Sequence, residues 1–112
     1  MRKIALVTST RAEYGIMSRL IESLSKDNEL QFYLLVTGMH LSEKFGMTKN
    51  EITQPIYKEI DIEIEKDAAH SLALTIEKFS ETLKEIKPDL LVLLGDRYEI
   101  MGVAQACMKT II

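Results

Sequence analysis

Three short segments hold residue types suited to work on an anion or a sugar. The first is Thr8-Ser9-Thr10-Arg11-Ala12-Glu13-Tyr14-Gly15. A strand end running into a helix start exposes unpaired backbone N–H groups and the positive end of the helix dipole, which suit a phosphate. Arg11 adds a planar, two-pronged donor for such a group. The segment lacks both G-x-G-x-x-G and the Walker lysine pattern, which argues against ordinary dinucleotide binding and P-loop chemistry. A second reading stands beside this one: Thr10 and Glu13 have capping-box spacing and only start a helix, with Arg11 in solvent.

The second segment is Gly95-Asp96-Arg97-Tyr98-Glu99. Asp96 follows a very apolar run, so its carboxylate stands where a strand ends and is placed to move a proton or hold a hydroxyl. Asp96 and Glu99 also have the N-cap and N3 spacing of a helix start, and both readings stay open. The third segment, Gly38-Met39-His40-Leu41-Ser42, offers an imidazole for phosphate contact or acid–base work, or for packing. His70 is assigned no function. Two distant histidines and one cysteine form no recognised ligand set, so neither metal nor cofactor is expected.

The elements that must position these segments can be read from periodicity. Residues 3–8 are a short apolar run rich in strand formers, read as a buried parallel strand. Met17, Leu20, Ile21 and Leu24 recur at helical spacing and predict a helix over 12–26. Residues 31–37 predict a second buried strand, stopped by Gly38. Residues 38–55 read as a long functional loop, with Thr48 and Glu51 spaced to cap one short helix. Residues 59–64 alternate isoleucine with acid, the pattern of a half-buried edge strand. Ala69, Leu72, Ile76, Phe79, Leu83 and Ile86 mark an amphipathic helix over 67–86, ended by Pro88. Residues 89–94 are the most apolar stretch and predict a central strand. A last helix comes next, with Ile100, Val103, Ala104 and Cys107 or Met108 inward, and residues 109–112 begin a fifth strand.

Strands alternating with helices predict an α/β fold: a parallel, Rossmann-like doubly wound sheet in the order 3-2-1-4-5. In that order strands one and four are neighbours, and ligands bind in the crevice at their carboxyl ends. Thr8–Gly15 and Gly95–Glu99 lie there, with Gly38–Gly46 alongside.

Composition limits the partners. The 112 residues suit one small domain, and 14 basic against 17 acidic side chains give a net charge of -3. No basic stripe interleaved with aromatics is present, so nucleic acid is not an expected partner. The apolar runs at 4–7 and 90–94 are too short to span a bilayer, and Arg11 and Glu13 break any signal-peptide reading of the first residues. A single cysteine forms no internal disulfide, consistent with a reducing cytoplasm.

Taken in series, VTSTRAEYG, VTGMHLSEKFG and PDLLVLLGDRYE resemble the hydrolysing UDP-N-acetylglucosamine 2-epimerases of sialic-acid biosynthesis. The resemblance implies a GT-B-like enzyme of two Rossmann-like domains, of which residues 1–112 are part of the first. The second, nucleotide-binding domain is absent. It implies elimination of UDP across C1–C2 of UDP-N-acetylglucosamine, then hydration of the glycal to N-acetylmannosamine. Arg11 matches the family arginine near the diphosphate and Asp96 the aspartate of its Gly-Asp-Arg motif, a candidate acid or base at the sugar. Arg97, Glu99 and His40 match family-typical positions that face the substrate. The family's further acids begin in a His-Ile-His-Gly-Gly-Glu-like stretch beyond Ile112, so the chain alone is expected to be inactive. It is also expected to pair with itself through an open strand edge, as a homo-oligomer. Two other readings compete: an epimerase for a related nucleotide-linked amino sugar, and a stand-alone α/β anion-binding module.

Overall fold

The computed structural model describes residues 2–42, 48–64, 66–93 and 98–107, without the side chains of Arg11, Met39 and Tyr98. Four parallel strands, β1 (Arg2–Thr8), β2 (Leu30–Thr37), β3 (Lys58–Ile60) and β4 (Leu90–Val92), form one sheet in the order β3-β2-β1-β4. This is the expected order over four strands; the expected fifth, at 109–112, lies outside the described residues.

Alternation in the strands builds two cores. Leu6, Leu34 and Val36 face α1 (Arg11–Lys26) and pack with its Met17 and Ile21. Ala5, Val7 and Leu35 face the other way, onto Phe79, Leu83 and Ile86 of α2 (Ala68–Ile86) and Ile100 and Val103 of α3 (Tyr98–Ala106). Helices on both faces make the sheet doubly wound. No helix among the described residues is long and apolar enough to cross a membrane.

Polar groups set where elements start and stop. Thr10 and Glu13 form the full capping box that opens α1. Asp67 caps α2 by accepting from His70 N–H, and Lys87, at φ 53°, turns the chain out of that helix before Pro88. Asp89 fixes β4 against β1: its N–H donates to the Lys3 carbonyl, and its carboxylate accepts the Lys3 N–H, both at 2.8 Å. His70 sits 3.1 Å from Glu63, whose carboxyl is held below its usual range by His70 and then Lys66.

Three expectations of the strands and helices need correcting. The half-buried strand at 59–64 narrows to Lys58–Ile60, although Ile60 and Ile62 are buried as the alternation requires. Glu63 has φ 53°, a left-handed conformation that breaks the extended run. The helix over 67–86 exists, but its amino half buries Ser71 and Thr75 and leaves Ala69 exposed. Gly102 explains that shift. A Cβ there would lie 2.9 Å from Leu72 Cδ1 and Thr75 Cγ2, so α3 approaches α2 backbone-close at Leu72 and Thr75. On α3 itself Ile100, Val103 and Cys107 are buried as expected, but Ala104 is exposed and Ala106 takes the inward place. β4, read as central, is the last strand of the described sheet, and the fifth strand expected beside it, at 109–112, lies outside the described residues.

The segment 38–55 is more ordered than a loop. Gly38–Leu41 and Thr48–Glu51 are 3-10 helices, and residues 43–47 lie outside the described residues. Ile52 and Ile56 pack onto the α1 core, where the Tyr14 hydroxyl donates to Gln54 Oε1 at 2.6 Å and accepts Thr53 N–H at 3.3 Å.

Candidate active site

Register alone brings the three segments together. β1 pairs with β4 from Ile4–Leu90 to Leu6–Val92 and with β2 from Arg2–Leu30 to Thr8–Val36, all parallel. The chain leaving each strand therefore emerges at one edge of the sheet: the turn into α1, the 3-10 turn after β2, and the connection into α3.

Beneath that edge lies a buried polar floor. Thr8, Ser9, Glu13, Thr37, His40, Ser42 and Glu99 are all buried there or beside it. Glu13 Oε1 accepts three donors: Ser9 N–H at 3.1 Å, Thr10 N–H at 3.2 Å and the Ser9 hydroxyl at 2.9 Å. Three donors on one oxygen offset much of the cost of burying a carboxylate. The Ser9 hydroxyl also lies 3.3 Å from Glu99 Oε1, joining the start of α3 to the start of α1.

His40 spans the other side. Its Nε2 is 2.9 Å from Thr8 Oγ1 and its Nδ1 2.9 Å from Thr48 Oγ1, while its backbone N–H donates to the Ser9 carbonyl at 3.2 Å. Burial pushes the imidazole down to about 4, and backbone hydrogen bonding at Thr10 and Thr48 pulls it only partly back. His40 is thus neutral at neutral pH, with one ring nitrogen donating and the other accepting. Tyr14 meets its ring edge-on, with centroids 6.4 Å apart.

The candidate residues therefore divide. His40 and Glu99 are seen, and both belong to the floor. The Arg11 backbone opens α1 at the crevice edge, but its side chain lies outside the described residues, as do Asp96 and Arg97 entirely. The described residues on either side do meet: Ser9, two residues before Arg11, lies 3.3 Å from Glu99, three residues after Asp96. Thr48 was legible only as a helix cap, and Thr8 and Ser9 only as part of their segment, because the contacts of Thr8 with His40 and of Ser9 with Glu99 are distant along the chain. Among the described residues no cluster of His, Cys, Asp and Glu could hold a metal. An apolar hollow between Leu83, Pro88, Leu90, Leu93 and Cys107 lies by the β4 edge; its lining suits packing better than a charged phosphate.

A doubly wound parallel sheet whose strand ends converge on a buried acid–imidazole floor defines a Rossmann-like domain, in which the crevice at the carboxyl edge is the usual place for a ligand. A family model described as UDP-N-acetylglucosamine 2-epimerase matches residues 22–112, and the chain belongs to that family. It is 38% identical to the GDP/UDP-N,N'-diacetylbacillosamine 2-epimerase (hydrolyzing) of Campylobacter jejuni, over 96% of this chain and 29% of the relative. It is 40% identical to a polysialic acid biosynthesis protein of Escherichia coli, over 95% and 29%. A crystal structure of a UDP-N-acetylglucosamine 2-epimerase superposes with a TM-score of 0.79 at 24% identity, covering 99% of this chain and 31% of the other. The Methanocaldococcus jannaschii enzyme in complex with UDP-GlcNAc and UDP superposes with a TM-score of 0.76 at 24% identity, over 96% and 30%. These superpositions place the fold among those enzymes. The chain spans less than a third of the length of the relatives it matches.

Proposed function

We propose that this chain is the amino-terminal portion of a hydrolysing 2-epimerase acting on a UDP-linked 2-acetamido sugar, with UDP-N-acetylglucosamine as the first candidate substrate. The observation that carries the reading is family membership together with 38% identity to a relative named as a hydrolysing 2-epimerase. Family membership favours an enzyme over a stand-alone binding module.

In this reading Arg11, the first residue of α1, binds the diphosphate, and its charge stabilises UDP as negative charge builds on the leaving group. Asp96, which lies between β4 and α3 in the sequence, exchanges a proton at the sugar. Arg97 and Glu99 flank it, and His40 supports the substrate side from below. Elimination needs a base at the C2 proton as well as help for the leaving group, so one carboxylate does not suffice. The remaining acids and the principal UDP-binding domain belong to chain outside these 112 residues, which alone release no UDP. The enzyme is cytoplasmic and works as a homo-oligomer.

A second substrate has its own support. Relatives from Campylobacter jejuni and Legionella pneumophila, 38% and 34% identical, are named for N,N'-diacetylbacillosamine. The test is to incubate the full-length protein in deuterated water with UDP-N-acetylglucosamine and with UDP-N,N'-diacetylbacillosamine. Release of UDP with deuterium at C2 of the product is expected, and the faster substrate decides between the two. Arg11→Ala and Asp96→Asn should each cut turnover by orders of magnitude. If Asp96→Asn keeps a near-normal rate and only lowers the melting temperature, Asp96 is a helix cap and not the acid or base.

A further inference from the structure

One buried residue touches all three crevice segments. Ser9 is the first residue after β1 and is 0% exposed. Its N–H goes to Glu13 Oε1 on α1, and its carbonyl accepts His40 N–H from the turn after β2. Its hydroxyl lies between Glu13 Oε1 at 2.9 Å and Glu99 Oε1 at 3.3 Å. The chain after β2 also abuts it directly: a Cβ at Gly38 would sit 3.0 Å from Ser9 Cβ and 3.2 Å from Ser9 O.

The cap of α1 does not require this hydroxyl. Thr10 Oγ1 already accepts Glu13 N–H, and the Glu13 carboxylate already accepts the N–H groups of Ser9 and Thr10. What the hydroxyl adds is reach to Glu99, ninety residues away in sequence. One O–H proton serves two carboxylate oxygens only when the three groups keep one spacing. That contact ties the start of α1 to the start of α3, the two helices that follow β1 and β4.

We propose that Ser9 is a positioning residue, which holds the start of α1 and the start of α3 at the separation the reaction needs. The role rests on the 2-epimerase reading given above. A displacement of about 1 Å between groups that act together costs on the order of 100-fold in rate. Ground-state binding, spread over the rest of the cleft, changes far less.

The experiment uses the full-length protein with UDP-N-acetylglucosamine and UDP-N,N'-diacetylbacillosamine, comparing Ser9→Ala, Ser9→Cys and Ile21→Val. The thiol is a weak donor, so Ser9→Cys should fall between wild type and Ser9→Ala. Ile21 is buried in the core under α1, away from the link, and Ile21→Val is a control for general loosening. Expected is a kcat loss of about 10- to 100-fold in Ser9→Ala with KM nearly unchanged, an intermediate loss in Ser9→Cys, and none in Ile21→Val. Amide hydrogen exchange, read in the same proteins, should quicken at the starts of both α1 and α3 in Ser9→Ala, and at α3 not at all in Ile21→Val. An active wild type with Ser9→Ala at full rate overturns the positioning role alone, as does a loss that Ile21→Val reproduces or one that appears only in KM. A wild type that acts on neither substrate, but whose exchange at α3 responds to Ser9→Ala, overturns the activity reading while the link stands. Unchanged exchange at α3 overturns the link itself.

Discussion

The carboxyl edge of the sheet and the outer edge of β4 are built on opposite terms. At the carboxyl edge the groups are polar, mostly buried and hydrogen-bonded to one another: Thr8, Thr48 and the Ser9 carbonyl serve His40, and Ser9 and Thr10 serve Glu13. At β4 the groups are apolar and partly open: Leu90 is 56% exposed, and Leu91, Val92 and Leu93 are only half-buried. A hydrogen-bonded floor tolerates little change, because removing one member strands the others without water. An apolar edge tolerates polar change and gains from it. Small substitutions at the first region should therefore cost more than drastic ones at the second.

The largest effect is expected at His40. His40→Leu leaves the hydroxyls of Thr8 and Thr48 without the imidazole, at about 1–3 kcal/mol for each orphaned group. A loss of about 3 kcal/mol in urea unfolding is the expected result. The wild-type histidine also predicts a pH dependence. Its folded value, about 4, lies below the ordinary 6.5, so the unfolded chain takes up the proton first as pH falls. Its contribution is complete above about pH 6.5 and is lost as pH drops toward 4, to a total of about 3 kcal/mol. The difference in stability between wild type and His40→Gln, followed from pH 7.5 down to about pH 5, isolates this effect before most carboxylates protonate. A difference that does not change over that range would show that the imidazole is not buried as described.

Gly38→Ala comes next. Gly38 has φ +61°, a left-handed conformation costing a non-glycine residue about 1–2 kcal/mol. The new methyl also meets Ser9 Cβ at 3.0 Å. A destabilisation of about 2 kcal/mol or more is expected. Retention of wild-type stability would mean that the turn after β2 does not press on Ser9.

Thr10→Ala is smaller. It removes the side-chain acceptor for Glu13 N–H but leaves the bonds from Ser9 to Glu13 intact, so about 1 kcal/mol should be lost. This cap also shows what the sequence discloses and what it hides. Thr10 and Glu13 are three residues apart, and local spacing of that kind is legible. So is the order of the four described strands, because the charged face of residues 59–64 marks an outer strand and the apolar run at 3–8 an inner one. The second task of Glu13, accepting the Ser9 hydroxyl that also reaches Glu99, depends on chain ninety residues away, and no local pattern announces it. The same holds for α2, where the apolar stripe pointed to Ala69 but the close approach of Gly102 buried Ser71 and Thr75. His40 was legible as a residue of interest, yet its burial and its two threonine partners were not. Arg11 and Asp96 owe their place in the proposal to motif and register, since Arg11 is seen only as backbone and Asp96 lies outside the described residues.

The smallest effect should come from the harshest substitution. Leu90 lies in β4, which has no partner on its outer side among the described residues. Its inner neighbour β1 already fixes the register through Ile4–Leu90 and through Asp89 and Lys3. At 56% exposure the side chain has little burial to lose, so Leu90→Lys should change the stability of the 112-residue chain by no more than about 0.5 kcal/mol. Lysine on a strand edge discourages edge-to-edge pairing, through charge repulsion between copies and the cost of stripping water from the ammonium. Sedimentation velocity should accordingly show the wild-type chain self-associating with rising concentration, and Leu90→Lys doing so less. A loss of more than about 2 kcal/mol would be the signature of a core position, at odds with this exposure. In that case the β4 edge is as finished as the polar floor, and the contrast between the two regions fails.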